Sequence, residues 1–406
     1  MLPLEGIRVL ALEQYYAGNI GSLILRRFGA EVIKVELPGE GDAMRHIGPR
    51  DEGEGGRNRS LSELRVMLGK KSVAVDMAKP EGKAIILGLA AKCDVVWTNM
   101  KPSSLHKLGF TFEVFTAVRP DIIYTTLSGF GHDDVVPDGP MGDWVAFDII
   151  AQGLAGLLFR TETESDEPRY NGVALGDQVT ALQAVIGTVM ALYKRQRDGG
   201  AQRVDVAMHD AMLQLNELSL AFTGWTGKPP SRGRSSTSSP YGAFRNKDGF
   251  VNIAVGGTPV WRRFARAMSR PDLIDDPRFK EARSRVANNS ELEAIVNEWT
   301  LARTTDEIVA VLHGAGVPSA PVYTLPQVLD SPQLAPRNML YEVDDAVIGP
   351  RRVLGNPIKM AGVPDEPSGD APDLARDTRA VLAELLGMDE TQIDELASAG
   401  IIGTAS

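Results

Sequence analysis

A single cysteine, Cys93, leaves the chain with no internal disulfide to form. It follows "LAAK" at a helix end, where a packed thiol is a better reading than a nucleophile. Histidine is scarce too: His46, His106, His132, His209 and His313 are scattered, without the paired spacing of a zinc site. Positive charge is in deficit. Lysine and arginine number 43 against 53 acids, a net charge of −10, which argues against a general nucleic-acid binder. No continuous apolar run approaches the ~18 residues of a membrane span. "MLPLEGIRVLALE" passes directly into a strand-like run, so the expectation is a soluble, cytoplasmic protein with no signal peptide and no membrane or nucleic-acid partner. Several motifs are missing as well: no Walker sequence, no GxSxG elbow, no HExxH, and no Ser/His/Asp triad that sequence alone can assemble.

What is present is the pattern of an α/β protein. At 406 residues the chain is long for one core, and two domains are expected. "GIRVLALE" (6–13), "AEVIKVE" (30–36), "KSVAVDM" (71–77), "DVVWTN" (94–99) and "DIIYTTLSG" (121–129) read as buried strands. Helical stretches lie between them, one beginning at "GSLILRRFG" and one opening at Pro80. Strands alternating with helices of about ten residues imply parallel βαβ units and a Rossmann-like, doubly wound sheet. In "ALGDQVTALQAVIGTVMALYKRQRDGG" a long helix carries Val179, Leu182, Val185, Ile186, Val189, Met190 and Tyr193 on one face, the expected core face. Composition shifts at "TGWTGKPPSRGRSSTSSPYG" (223–242), a boundary or functional loop, followed by a hairpin-like stretch turning at Lys247-Asp248-Gly249. The resulting division is 1–222, 223–325 and 326–406. The segment from Gly39 to Lys70 is long for a plain connection and holds a short helix, "SLSELRVML".

Candidate chemistry is sparse. "QYYAGNIGS" offers Gly18 and Gly21 without GxGxxG spacing, so a nicotinamide site is disfavoured, even though Glu36 ends a strand where a ribose-binding acid would stand. Asn99 and Ser128 lie at strand ends, in the zone where open α/β sheets bind ligands. Arg57, Arg59, Arg65, Lys70, Lys71 and Lys107 suit an anionic ligand. They also suit a solvated basic stretch balanced by Asp51, Glu52 and Glu54, the plainer reading. Asp177 stands beside a glycine at a helix start. Locally it reads first as an N-cap and second as a carboxylate nucleophile toward an activated carbonyl such as a thioester.

The segments "LPLEGIRVLALEQYYAG", "RRFGAEVIKVELPGEGDAMR", "GKKSVAVDMAKPEGKAIILGLAAKCDVVWTNMKPSSLHKLGF", "RPDIIYTTLSGFG" and "ALGDQVTALQAVIGTVMALYKRQRDGGAQRVDVAMHDAML" together resemble the class III CoA-transferases. This is the CaiB/BaiF-like group that includes formyl-CoA transferase and carnitine CoA-transferase. The resemblance runs over nearly the whole chain. It implies that Asp177 is the catalytic aspartate, which attacks an acyl-CoA and passes through covalent aspartyl intermediates, with no metal and no permanently bound cofactor. It implies CoA contacts at Tyr16, Ala17, Lys71, Asn99, Met100, Lys107 and Phe130, and oxyanion or loop donors around Ala17-Gly18 and Gly256-Gly257. It also implies an interlocked homodimer, with a smaller α+β domain inserted into the Rossmann-like one.

The sequence departs from the family pattern at several places. Asn19 stands where the family usually has proline. Ser128 and Phe130 replace a lysine and a tyrosine of formyl-CoA transferase, and its run of glycines is reduced to Gly256-Gly257. The racemase branch has a His-Asp pair where this chain has Phe147-Asp148, so the histidine base is missing and transfer is favoured over racemisation. A racemase or isomerase using another base, and a non-catalytic CoA-binding homologue, are the alternatives.

Overall fold

The computed structural model describes residues 2–53, 58–135, 139–161, 167–233, 235–367 and 369–405; Arg57 and Glu54 lie outside them. The chain forms two compact units. The first takes the chain up to Leu157, then Gly172–Asn216, and again from Gln333 onward; the second takes Leu158–Asn171 and Glu217–Pro332.

The first unit is built on seven strands: β1 (Arg8–Leu12), β2 (Glu31–Glu36), β3 (Lys71–Val75), β4 (Val95–Thr98), β5 (Ile123–Ser128), β6 (Gln202–Ala207) and β7 (Ile402–Gly403). The order is β7-β3-β2-β1-β4-β5-β6, parallel throughout except for β7, which pairs antiparallel with β3. Strands covered on both faces favour apolar residues on both, which is why they read as near-continuous hydrophobic runs. The helices are α1 (Tyr15–Arg27), α2 (Leu61–Met67), α3 (Pro80–Ala90), α4 (Pro102–Leu108), α5 (Phe112–Val118), α6 (Asp148–Leu154), α7 (Leu175–Asp198) and α8 (Met208–Leu215). Leu10, Leu12, Ile33, Val35, Val73 and Val96 pack with α3, α5 and a late helix, Thr378–Leu386. Their alternates Val9, Ala11, Val32, Val95 and Trp97 pack with α1, α6, α7 and α8. Cys93 is fully buried in the first of these layers, and burial pushes its thiol far above its ordinary range, as a packed core thiol requires. Strand order reverses about β1, so a crevice opens where the carboxyl ends of β1 and β4 diverge.

Two expectations about helices are corrected. The first helix starts at Tyr15, not near Gly21, so "QYYAG" is its first turn and not a loop. The glycines are there for close approach: a Cβ on Gly21 would sit 2.2 Å from the Trp97 ring, and one on Gly18 would sit 2.9 Å from Asn99 Cγ. In α7 the face expected to be core is largely the outer one. Gly176, Thr180, Ala181, Ala184, Thr188 and Ala191 are buried against α1, α8, β5 and β6, while Leu182, Ile186, Val189, Met190 and Tyr193 are exposed. Small residues let α7 lie close to its neighbours, and close approach left the bulky residues no room inside. By length and composition alone α7 is apolar enough to cross a membrane, although its sequence is not one continuous apolar run.

The second unit carries a three-stranded antiparallel sheet, Tyr241–Arg245 beside Phe250–Ala254 beside Ser319–Pro321. Helices Thr258–Ala267, Asn289–Leu301 and Thr305–Gly314 cover it, with Trp261, Phe264, Leu292, Val296 and Ile308 in the core.

Candidate active site

Asp177 lies in the first turn of α7, but it is not the N-cap. That position is Ala174, and its side chain makes no capping bond. The helix start is satisfied from elsewhere: the Asp148 carboxylate, at the head of α6, accepts the Gly176 N–H at 2.6 Å. Gln152, one turn further along α6, donates its amide to both Asp148 oxygens at 2.9 and 2.8 Å and to the Val173 carbonyl at 2.9 Å. Asp148 therefore performs the role that sequence assigned to Asp177. Among the described residues the Asp177 carboxylate has neither a hydrogen-bond nor an ion-pair partner. Burial, then the neighbouring Asp148 charge, pushes its pKa up to about 6.

Two cavities meet at this residue, both lined wholly by the first unit. The larger stretch of wall belongs to a cavity of about 310 Å³ formed by Ala17, Asn99, Met100, Ser128, Trp144 and Thr180, among others. The second, about 480 Å³, is lined by Tyr16, Met44, Ile47, Ser62, Arg65 and Gln178, among others. Tyr15, Phe147 and Asp177 line both. The Tyr15 and Phe147 rings meet edge to face, centroids 5.7 Å apart, and form the wall between the chambers. Tyr15 holds a left-handed φ of +59°, unusual for an aromatic residue. Its N–H donates to Asp42 at 3.2 Å and its carbonyl accepts from the Asn19 amide, which also donates to Asp42 at 2.8 Å. Proline, with no side-chain donor, could make neither Asn19 contact.

The other sequence candidates divide clearly. Ala17, Asn99, Met100 and Ser128 line the first cavity and Tyr16 the second. Asn99 already spends its amide on Gln14, donating to its carbonyl at 2.7 Å and accepting its N–H at 2.9 Å; this ties the β1–α1 turn to the end of β4. Gly18 lies beneath that tie, close against Asn99. Phe130 packs against Trp144 and His209, with centroids 6.1 and 6.0 Å away. Lys71 opens β3, at the end of the sheet opposite the crevice, and pairs with Glu31. Lys107 is exposed at the last turn of α4 and lines neither cavity. Gly256 and Gly257 belong to the second unit, where Gly257, at φ +94°, caps helix Thr258–Ala267. Glu36 is structural: Arg45 donates to it twice at 2.7 Å.

The basic stretch is also sorted by the fold. Arg59 is buried against Glu63 at 2.6 Å, Asp345 at 3.1 Å and Asp373 at 3.0 Å. Lys70 is buried against Glu13 at 2.9 Å, and burial lowers its pKa to about 8. Of the described residues in that stretch, Arg65 alone lines a cavity beside Asp177.

An unpartnered acid at a sheet switch point, between two chambers, is an arrangement suited to covalent transfer. The sequence profile of CoA-transferase family III matches residues 4–378. The chain belongs to that family. It is similar to succinyl-CoA:mesaconate CoA-transferase of Haloarcula marismortui, 34% identical over 96% of this chain and 98% of the relative. Succinyl-CoA--D-citramalate CoA-transferase of Chloroflexus aurantiacus is 31% identical over 98% of both chains. Among solved structures, a CaiB/BaiF family protein from Brucella suis superposes with a TM-score of 0.79 at 31% identity, covering 95% of this chain and 99% of that one. Rv3272 from Mycobacterium tuberculosis superposes at 0.81 and 30% identity, covering 93% and 98%. As a family III CoA-transferase the protein is a transferase, moving CoA from an acyl-CoA thioester to a carboxylic acid. Sequence reasoning missed Asp148 as a cap. Its one local signal was Gln152 four residues on, the spacing of one helical turn.

Proposed function

We propose that CoA transfer runs through covalent intermediates on Asp177. The Asp177 carboxylate attacks the donor thioester carbonyl, forming a mixed anhydride and releasing CoA thiolate. The thiolate then attacks the aspartyl carbonyl, giving an aspartyl-CoA thioester and freeing the donor acid. The acceptor carboxylate attacks this thioester to form a second anhydride, and CoA thiolate resolves it as the new acyl-CoA, restoring Asp177. One thioester replaces another, so no external energy source or resident cofactor is needed. The observation that carries the reading is the Asp177 carboxylate itself: partly buried, without a cation or donor among the described residues, and facing both chambers. Poor solvation makes it a stronger nucleophile once ionised, and a pKa near 6 leaves it mostly ionised at neutral pH. The N–H groups of the first turn of α1, around Ala17 and Gly18, are the proposed oxyanion donors.

The first cavity, with Ala17, Asn99 and Met100, is the proposed seat of the CoA arm, and Tyr16, Lys107 and Phe130 complete the proposed contacts. The names of the relatives support a dicarboxylic acyl-CoA such as succinyl-CoA as donor. The exposed apolar stripe Leu182, Ile186, Val189, Met190 and Tyr193 supports a homodimer, and sedimentation at micromolar concentration tests it. The decisive experiment incubates the protein with succinyl-CoA and hydroxylamine and maps modified peptides by mass spectrometry. A hydroxamate on Asp177 is expected. Unmodified Asp177, with full transfer activity in Asp177→Ala, would overturn the mechanism, and solvent deuterium at the acyl α-carbon without an acceptor would mark an isomerase instead.

A further inference from the structure

The second cavity has a charge pattern that nucleophilic attack alone does not require. Among the described residues, Asp177 is its one acidic lining residue and Arg65 its one cation, with Ser62 and Gln178 adding hydrogen-bonding groups. Arg65 is set there by α2, a helix fixed at its start by a capping box between Ser60 and Glu63. That helix buries Glu63, Leu64, Val66 and Met67, which leaves Arg65 on the cavity side. Its guanidinium lies over the Tyr16 ring, 5.0 Å from the centroid, and this stacking holds it while leaving its N–H edge available.

The neighbouring arginines differ sharply. Arg45 is buried against Glu36 and Glu63, and Arg59 against Glu63, Asp345 and Asp373. Arg65 has no carboxylate partner among the described residues. Nor does it relieve Asp177, whose raised pKa comes from burial and from Asp148 with no offsetting cation. The two groups line one chamber without pairing with each other, which leaves one free to react and the other to recognise.

We infer that Arg65 is a specificity-determining residue that binds the distal carboxylate of a dicarboxylic acid while its other carboxyl reacts at Asp177. The planar guanidinium takes a carboxylate through two parallel N–H···O bonds, and a chain without that carboxylate leaves the cation unpaired. This assignment rests on the proposed reaction at Asp177.

The test uses acids matched in chain length, succinate against butyrate and glutarate against valerate, as acceptors from one acyl-CoA donor. Rates are measured for the parent protein, Arg65→Met and Arg65→Lys. The parent should favour the dicarboxylate of each pair, and Arg65→Met should cut that kcat/KM ratio by about tenfold or more, chiefly through the acceptor KM. Arg65→Lys should recover part of the ratio because it keeps the charge and loses the fork. Hydroxylamine trapping at Asp177, from succinyl-CoA as well as from butyryl-CoA, reports whether each variant retains a working site. Transfer with no dicarboxylate preference, or with a preference that Arg65→Met leaves intact, overturns the Arg65 assignment alone. Failure of the parent to trap an adduct or to transfer to any acid overturns the reaction at Asp177 and this assignment with it.

Discussion

Two groups of buried carboxylates in the first unit are treated in opposite ways. Glu36, Asp42 and Glu63 sit in a network with Lys34, Arg45 and Arg59. Burial pushes Glu36 and Asp42 upward, but Arg45 in one case and Lys34 in the other hold both below their ordinary range. Asp177 receives no such compensation, and its pKa moves the other way, to about 6. The lesson is one of distribution. Cations from the Gly39–Lys70 segment and the sheet neutralise acids that hold structure, while the acid proposed to react is left under-solvated and available. A buried ion pair contributes little net stability but is costly to break, and an unpaired acid is costly to keep ionised.

The contrast is tested most severely at Asp177. Asp177→Asn should lower transfer by on the order of 10⁴-fold or more, measured as steady-state thioester exchange, because the amide cannot form the anhydride. Next in size is the opposite region. Arg45→Met removes the paired cation of Glu36 and one of the two of Glu63, and denaturant unfolding should register a loss of about 3–5 kcal/mol. A loss within experimental error would mean that the network is not energetically coupled.

Third, the Asp177→Asn protein should be more stable than the parent above pH 6, by about 1–3 kcal/mol. The folded-state pKa of Asp177 is raised, so the native state binds the extra proton and parental stability falls as pH rises from about 4 to about 6. The gap between variant and parent should therefore close toward pH 4 in thermal melts. For Glu36 and Asp42, with lowered values, the sign reverses: their contribution is full above the ordinary carboxylate range and is lost as pH falls through their depressed pKa values. Transfer itself should lose activity on an acid limb near pH 6. The smallest effect is expected from Asp148→Asn, which removes the second cause of the Asp177 shift. That acid limb should move to lower pH by less than about one unit. A limb that does not move would leave burial as the whole cause.

Much of the sheet was legible because parallel strands buried on both faces are mostly apolar, as in β1, β3 and β4, while Lys34 in β2 and Thr125 and Thr126 in β5 are buried polar exceptions. Helix details were less legible, since Gly18 and Gly21 have the same letters whether they make a loop or permit contact with Asn99 and Trp97. Asp177 resembled a cap because the actual capping group, Asp148, comes from 28 residues before Gly176. Arg59 resembled a free surface charge because its partner Asp345 lies 286 positions away. Ion pairing at that separation leaves no local signature. The local reading made Asp177 a candidate nucleophile and the resemblance to a family favoured that role, but neither supplied its missing partners, its second chamber or the stacking of Arg65 on Tyr16.

The wall between the chambers consists of two side chains, Tyr15 and Phe147, resting on a backbone pinned by Asn19 and Asp42. No strand of the sheet contributes to that partition. Evolution can therefore enlarge, merge or close the chambers by exchanging residues at positions 15 and 147, without disturbing the carboxylate at 177 or the core beneath it. Substrate range and reaction chemistry are separately inheritable traits in this architecture, and diversification can proceed along the first while the second stays fixed.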